Sequence, residues 1–149
     1  MRSHTVLALS LVMAACASAP PRGPDAGEVQ TELDGEVTSV ARAISGGQFS
    51  QVVARFAPDA RLIVTGVPGP DGQPLNVDVS GHQPILGFLN GVGAPPGFEM
   101  NVTSFQLDGD VARQSGGWSA GGGEVSGAFT VEWLRAEEGW LVRLWQFEG

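Results

Sequence analysis

Lysine and tyrosine are absent from these 149 residues, and cysteine occurs once, at Cys16. Each absence removes a chemistry. Without lysine there is no Schiff-base amine and no phosphate-loop ammonium, and without tyrosine there is no phenolic acid or base. A single cysteine excludes an internal disulfide, a CxxC pair and a cysteine-rich zinc site, so a folded domain must be held by packing. Basic charge is scarce too: all 8 basic residues are arginine, 16 acids oppose them, and the net charge is −8. Nucleic-acid binding needs clustered cations to displace counterions, which excludes that partner class. No His, Asp and Glu cluster has metal-ligand spacing. Gly121-Gly122-Gly123 lacks the lysine of a phosphate loop and lies between strand-like runs, so it reads as a strand connection. No metal and no cofactor is expected.

The N-terminus has the three parts of an export signal: Arg2, an apolar run from Val6 to Met13, and small Ala14-Ala15 before Cys16. The run is too short for a permanent membrane helix. Met13-Ala14-Ala15-Cys16 resembles the lipobox of bacterial lipoproteins, in which the cysteine is acylated and becomes the new N-terminus; Met13 stands where leucine is usual. Plain secretion with cleavage after Ala17-Ser18-Ala19 is the other reading, although Pro20 just past that cut makes a poor site for general signal peptidase. The resemblance implies a signal peptide over residues 1–15, a lipid on Cys16, a membrane as partner and a place in the cell envelope. Ala17 rather than Asp after the cysteine resembles an outer-membrane sorting signal.

Residues 16–27, rich in Pro, Ala and Gly, read as a tether, and residues 28–149 as one domain. Asp25 with Glu28 has the form of a capping box. Val29, Leu33, Val37, Val40 and Ile44 follow at 3.6-residue spacing and predict an amphipathic helix, stopped by Gly46-Gly47. Phe49, Val52, Val53 and Phe56 suggest a second helix ending at Ala57-Pro58. Arg61 to Val67 and Leu75 to Val79 read as a hairpin across Pro68-Gly69-Pro70-Asp71-Gly72. Ser80-Gly81-His82-Gln83 resembles a capping box for a third helix carrying Ile85, Phe88 and Leu89. Four further strand-like runs, from Glu99, Val111, Val125 and Trp140, are joined by turn signals at Asp108-Gly109 and at Ala136 to Gly139, and predict an antiparallel meander. The plan is α+β, three helices on one face of a curved antiparallel sheet.

Phe56-Ala57-Pro58-Asp59-Ala60-Arg61-Leu62, Ser80-Gly81 with Ile85, Phe129-Thr130-Val131-Glu132-Trp133, and Gly139-Trp140-Leu141-Val142-Arg143 with Trp145-Gln146-Phe147 carry a resemblance to the NTF2-like superfamily, and within it to SnoaL-like or DUF4440-type domains. It runs from about Val29 to Phe147. It implies a cone with a pocket, often dimeric through its sheet, on which many activities occur, so fold does not decide function. Ketosteroid isomerases of this superfamily use a tyrosine that this chain lacks. SnoaL-type cyclases use an acid just after the tryptophan of the last strand, where this chain has Gln146.

His82 and Asp78 are the candidates for proton transfer. Each also has a plainer role, His82 as a polar residue in a helix's first turn and Asp78 as a solvent-facing strand residue. Asp59 reads as a turn former. Trp118, Phe88 and Gln146 stand as candidate ligand contacts. Two functions follow: a non-catalytic envelope protein binding a small apolar ligand or a protein partner, and an isomerase, dehydratase or hydrolase using His82 or Asp78. Cells fed an alkyne fatty acid should label the wild-type protein and leave Cys16→Ser unlabelled; equal labelling of both overturns the lipoprotein reading.

Overall fold

The computed structural model describes residues 25–149, so the expected export signal, Cys16 and the expected tether through residue 24 lie outside the described residues. Helix α1 (Ala26–Ser45) is followed by α2 (Phe49–Val53), strands β1 (Phe56–Pro68) and β2 (Pro74–Ser80), α3 (His82–Val92), then β3 (Glu99–Asp108), β4 (Val111–Ala120), β5 (Val125–Ala136) and β6 (Gly139–Glu148). The six strands form one sheet in the order β2-β1-β6-β5-β4-β3. No helix of the described residues is long and apolar enough to cross a membrane.

Helix α1 begins two residues before the expected domain start. Asp25 caps it by accepting from the Gly27 amide at 3.0 Å, which satisfies one orphan donor of the first turn. Val29, Leu33, Val37, Val40 and Ile44 are all buried, and each side chain removed from water contributes about 1.5–3 kcal/mol. Glu28 in the first turn and Arg42 in the last suit the helix dipole.

Three expectations are corrected. Helix α2 stops at Val53, and Phe56-Ala57-Pro58 belong to β1. Phe56 pairs with Val142 of β6 and packs on Trp145, ring centroids 6.0 Å apart; the sheet claims it before the helix can. Pro58 falls in the interval where that pairing slips register, the place a strand tolerates a residue without an N–H. Second, the capping box at Ser80 does not form. Ser80 is still paired with Arg61, and Gly81 caps α3 with no side-chain bond at φ 88°, a left-handed conformation that suits glycine. Third, the sheet is mixed. The meander β3 to β6 is antiparallel as expected, yet β6 returns beside β1 in parallel.

Bulges bend the strands. One lies at Gly66 in β1, one at Thr103 in β3 and one at Arg143 in β6, where the pairing of Glu132 with Leu144 is followed by that of Trp133 with Val142. The inner face carries Leu62, Val64, Ala112, Trp118, Phe129, Val131, Trp133, Val142 and Trp145, all buried. One polar side chain sits among them. Gln114, 1% exposed, accepts from the Trp133 indole at 2.7 Å and donates to Asp34 of α1 at 2.6 Å. The charged first half of α1 thus supplies an inward-turned acid that pins the helix to β4.

The outer face carries the ion pairs of the sheet. Arg113 and Arg143 both bond Glu132, a carboxylate whose side chain is 13% exposed. Burial pushes the Glu132 carboxyl up, but the hydrogen bonds from Arg113 and Arg143 outweigh it and hold the group below its ordinary value of 4.5.

Gln114→Met should lower stability by about 1–3 kcal/mol, because it leaves the Trp133 donor buried without a partner; urea unfolding measures it. A carboxyl depressed by folding contributes stability above its unfolded pKa and loses it as pH falls through the folded one. Between about pH 6 and pH 2.5 the urea midpoint of the wild type should therefore fall more steeply than that of Glu132→Gln.

Candidate functional site

Helix α1 ends before the sheet does. Beyond Ile44 in its last turn, the space under β1 is covered by the short helices α2 and α3, and a cavity of about 100 Å³ is left. Leu62, Val64 and Val67 of β1 form its floor with Leu75 of β2, and Phe88, Leu89 and Val92 of α3 form the opposite wall. Phe98, Trp118 and Phe147 close one side. The volume is below the roughly 150 Å³ that holds a benzene ring in a dry protein cavity, so the chamber fits a short alkyl group.

The chamber opens outward. Val67, Leu75, Val92, Pro95, Phe98 and Trp118 also line a vestibule of about 380 Å³ bounded by loop residues 68–70, 93–96 and 121–124. Together the two compartments reach the few-hundred-Å³ scale of small-molecule sites.

Two glycines decide how the aromatic wall stands. Gly116, opposite Val102, has no room for a Cβ, which would collide with the Asn101 carbonyl of β3. Gly127 faces Trp118 across β4 and β5, and a Cβ there would sit 2.7 Å from the indole nitrogen. The bare glycine lets the indole lie across β5 and donate to the Glu148 carbonyl of β6 at 3.0 Å. Phe98 stacks on the other side of Trp118 at 6.1 Å and meets Phe147 edge-on at 6.2 Å. Phe147 in turn stacks on Trp145 at 5.7 Å, which packs on Trp133 at 6.1 Å. The chamber wall is therefore continuous with the deepest core. Offset and edge-on aromatic pairs each add about 0.5–1.5 kcal/mol beyond their burial.

The structure brings Trp118 and Phe88 together at the chamber and separates the other candidates from it. Gln146 alternates with the inward Trp145 and Phe147, so it lies on the opposite face, in register with Thr130 and Ile63. Asp78 is on that outer face as well, half-exposed, and accepts from the Arg61 Nε at 2.7 Å. The hydrogen bond from Arg61 holds its carboxyl below the usual range, the opposite of what a general base near neutral pH needs. His82 is partly buried; its Nε2 lies 2.8 Å from the Phe56 carbonyl, to which it donates. That bond ties α3 to the start of β1. Neither His82 nor Asp78 lines the chamber or the vestibule. Among the described residues no three His, Cys, Asp or Glu side chains gather as metal ligands.

Sequence reasoning passed over Phe147, Phe98, Val92 and Glu124. Phe147 was readable, since it alternates with Trp145 on one strand. Phe98 and Glu124 sit in Pro- and Gly-rich loops without periodicity, and only the fold brings them to the opening.

No protein-family model and no curated protein matches the chain. The likeness is to solved structures. An NTF2-like protein of unknown function from Pseudomonas putida superposes with a TM-score of 0.62 at 14% identity, over 82% of this chain and 87% of the other. Aln2 from a Streptomyces species gives 0.65 at 13% identity, over 85% and 94%. A de novo designed protein with a curved β-sheet gives 0.57 at 15% identity, over 83% and 99%. Likenesses at this level of identity speak for architecture alone. With three helices in the N-terminal half laid on a bent six-stranded mixed sheet, the chain has the NTF2-like fold.

Proposed function

We propose that this chain is a non-catalytic binding protein of the cell envelope, held at a membrane by a lipid on Cys16, whose NTF2-like domain receives the apolar part of a small molecule. The observation that carries the reading is the chamber itself: among the described residues its walls are Val, Leu, Ile, Phe, Pro, Gly and Trp118, with no acid or base among them. A group placed there gains by leaving water, about 0.8 kcal/mol for each buried methylene. Proton-transfer chemistry finds no donor or acceptor inside it.

The enzyme reading through His82 or Asp78 has no observation in its favour, since one is bonded to a backbone carbonyl and the other to an arginine on the outer face. The finer likeness to SnoaL-like domains rests on the motifs in β1, β5 and β6. A protein partner or a second copy of the chain is a further part of the proposal. Support for it comes from Val111, Leu134 and Leu141, which stand side by side in register across β4, β5 and β6 and are each only partly buried.

A dansyl fluorophore carried on a butyl tail, the tail short enough for the chamber and the ring system left to the vestibule, should bind the full chain saturably and brighten. Val92→Trp, at the neck between chamber and vestibule, should weaken it at least about tenfold, close to 1.4 kcal/mol. Asp78→Asn and His82→Gln should change affinity by no more than about twofold, as for substitutions outside a site. Absence of saturable binding to the wild type overturns the proposal.

A further inference from the structure

The proposed apolar ligand must have a polar end, because the chamber is small and its contents continue into the vestibule. The vestibule's chemistry limits what that end can be. Among the described residues, the single ionisable residue lining either compartment is Glu124, at the end of the Gly121–Gly123 turn. Its carboxylate folds back over that turn, with one oxygen 3.5 Å from where a Cβ on Gly121 would stand. The other lining side chains are Gly, Ala, Pro, Val, Leu, Ile and Phe, with Trp118 the exception. Trp118 is no exception in effect, since its N–H is already given to the Glu148 carbonyl.

The lining side chains therefore offer an incoming ligand one acceptor, which carries a negative charge, and no free donor. A carboxylate or phosphate entering here meets no cation and no side-chain N–H or O–H, loses part of its hydration, and is repelled by Glu124. A protonated amine keeps a counter-charge, and an alcohol keeps an acceptor. The protein's net charge of −8 acts in the same direction at longer range.

We infer that the site selects amphiphiles whose polar end is cationic or hydrogen-bond-donating, amines before alcohols, and that it discriminates against acyl anions, with Glu124 as the residue that sets the preference. The inference rests on the proposed binding of an apolar group in the chamber. It assigns the ligand a chemical class that the apolar walls alone do not.

The test is a calorimetric titration of the full chain with three probes of equal tail, octylammonium, octanol and octanoate, at neutral pH and low salt, against the wild type, Glu124→Gln and Val92→Trp. Octylammonium should bind the wild type about tenfold more tightly than octanoate, with octanol between, a size suited to one charge pair at a partly wet site. In Glu124→Gln the gap should close to about twofold or less, and added salt should close it in the wild type. If octanoate binds as well as octylammonium, or if the gap survives in Glu124→Gln, the inference is overturned while the binding reading stands, provided that Val92→Trp weakens all three probes. If no probe binds the wild type, the binding reading falls and takes the inference with it.

Discussion

The apolar stripe of α1 has to be covered, and the bent sheet is what covers it. A helix of 20 residues spans about 30 Å, long enough to lie across the strands and to dictate how far they must curl. The curl comes from bulges at Gly66, Thr103 and Arg143, and from glycines where a side chain would hold neighbouring strands apart. Beneath the helix, the buried polar contact that constrains its rotation about its own axis runs from Asp34 to Gln114 to Trp133. A buried amide with both ends satisfied is stabilising only while each partner stays in place. It therefore selects one seating of α1 among the several that an oily stripe alone would accept.

The cavity is a consequence of that seating. Where α1 ends at Ser45, the covering of the sheet passes to two short helices, and α3, with Ile85 as its one fully buried side chain, cannot fill the same volume. Aromatic side chains keep the remaining space from collapsing. Trp118, Phe98, Phe147 and Trp145 brace one another in sequence, and rigid rings of this kind do not relax into a void as leucines would. The wall of the site and the core of the protein are thus one packed structure, and a change in either is felt in the other.

Charge is distributed to suit this arrangement. The acid–arginine pairs, Arg61 with Asp78, and Glu132 between Arg113 and Arg143, lie on the outer face. Arg55 with Glu36 ties the turn before β1 to α1. Among the described residues no titratable side chain is fully buried; Asp34 and His82 are each partly buried and hydrogen-bonded. Among the described residues, Glu124 is the one charged residue at the rim of the apolar chamber.

The period-3.6 stripe of α1 and the meander with its turns were legible in the residues, because each depends on local spacing. The α+β plan and the likeness to NTF2-like domains followed from the order of those parts. The parallel return of β6 beside β1, the early end of α2, the outward placing of Gln146 and Asp78, and the meeting of Phe98, Trp118 and Glu124 at one opening were decided by tertiary structure. Each depends on which strand lies beside which, in what register. A pairing between residues such as Leu62 and Trp145 leaves no periodic trace in either segment, because its free energy comes from burial shared between distant parts of the chain.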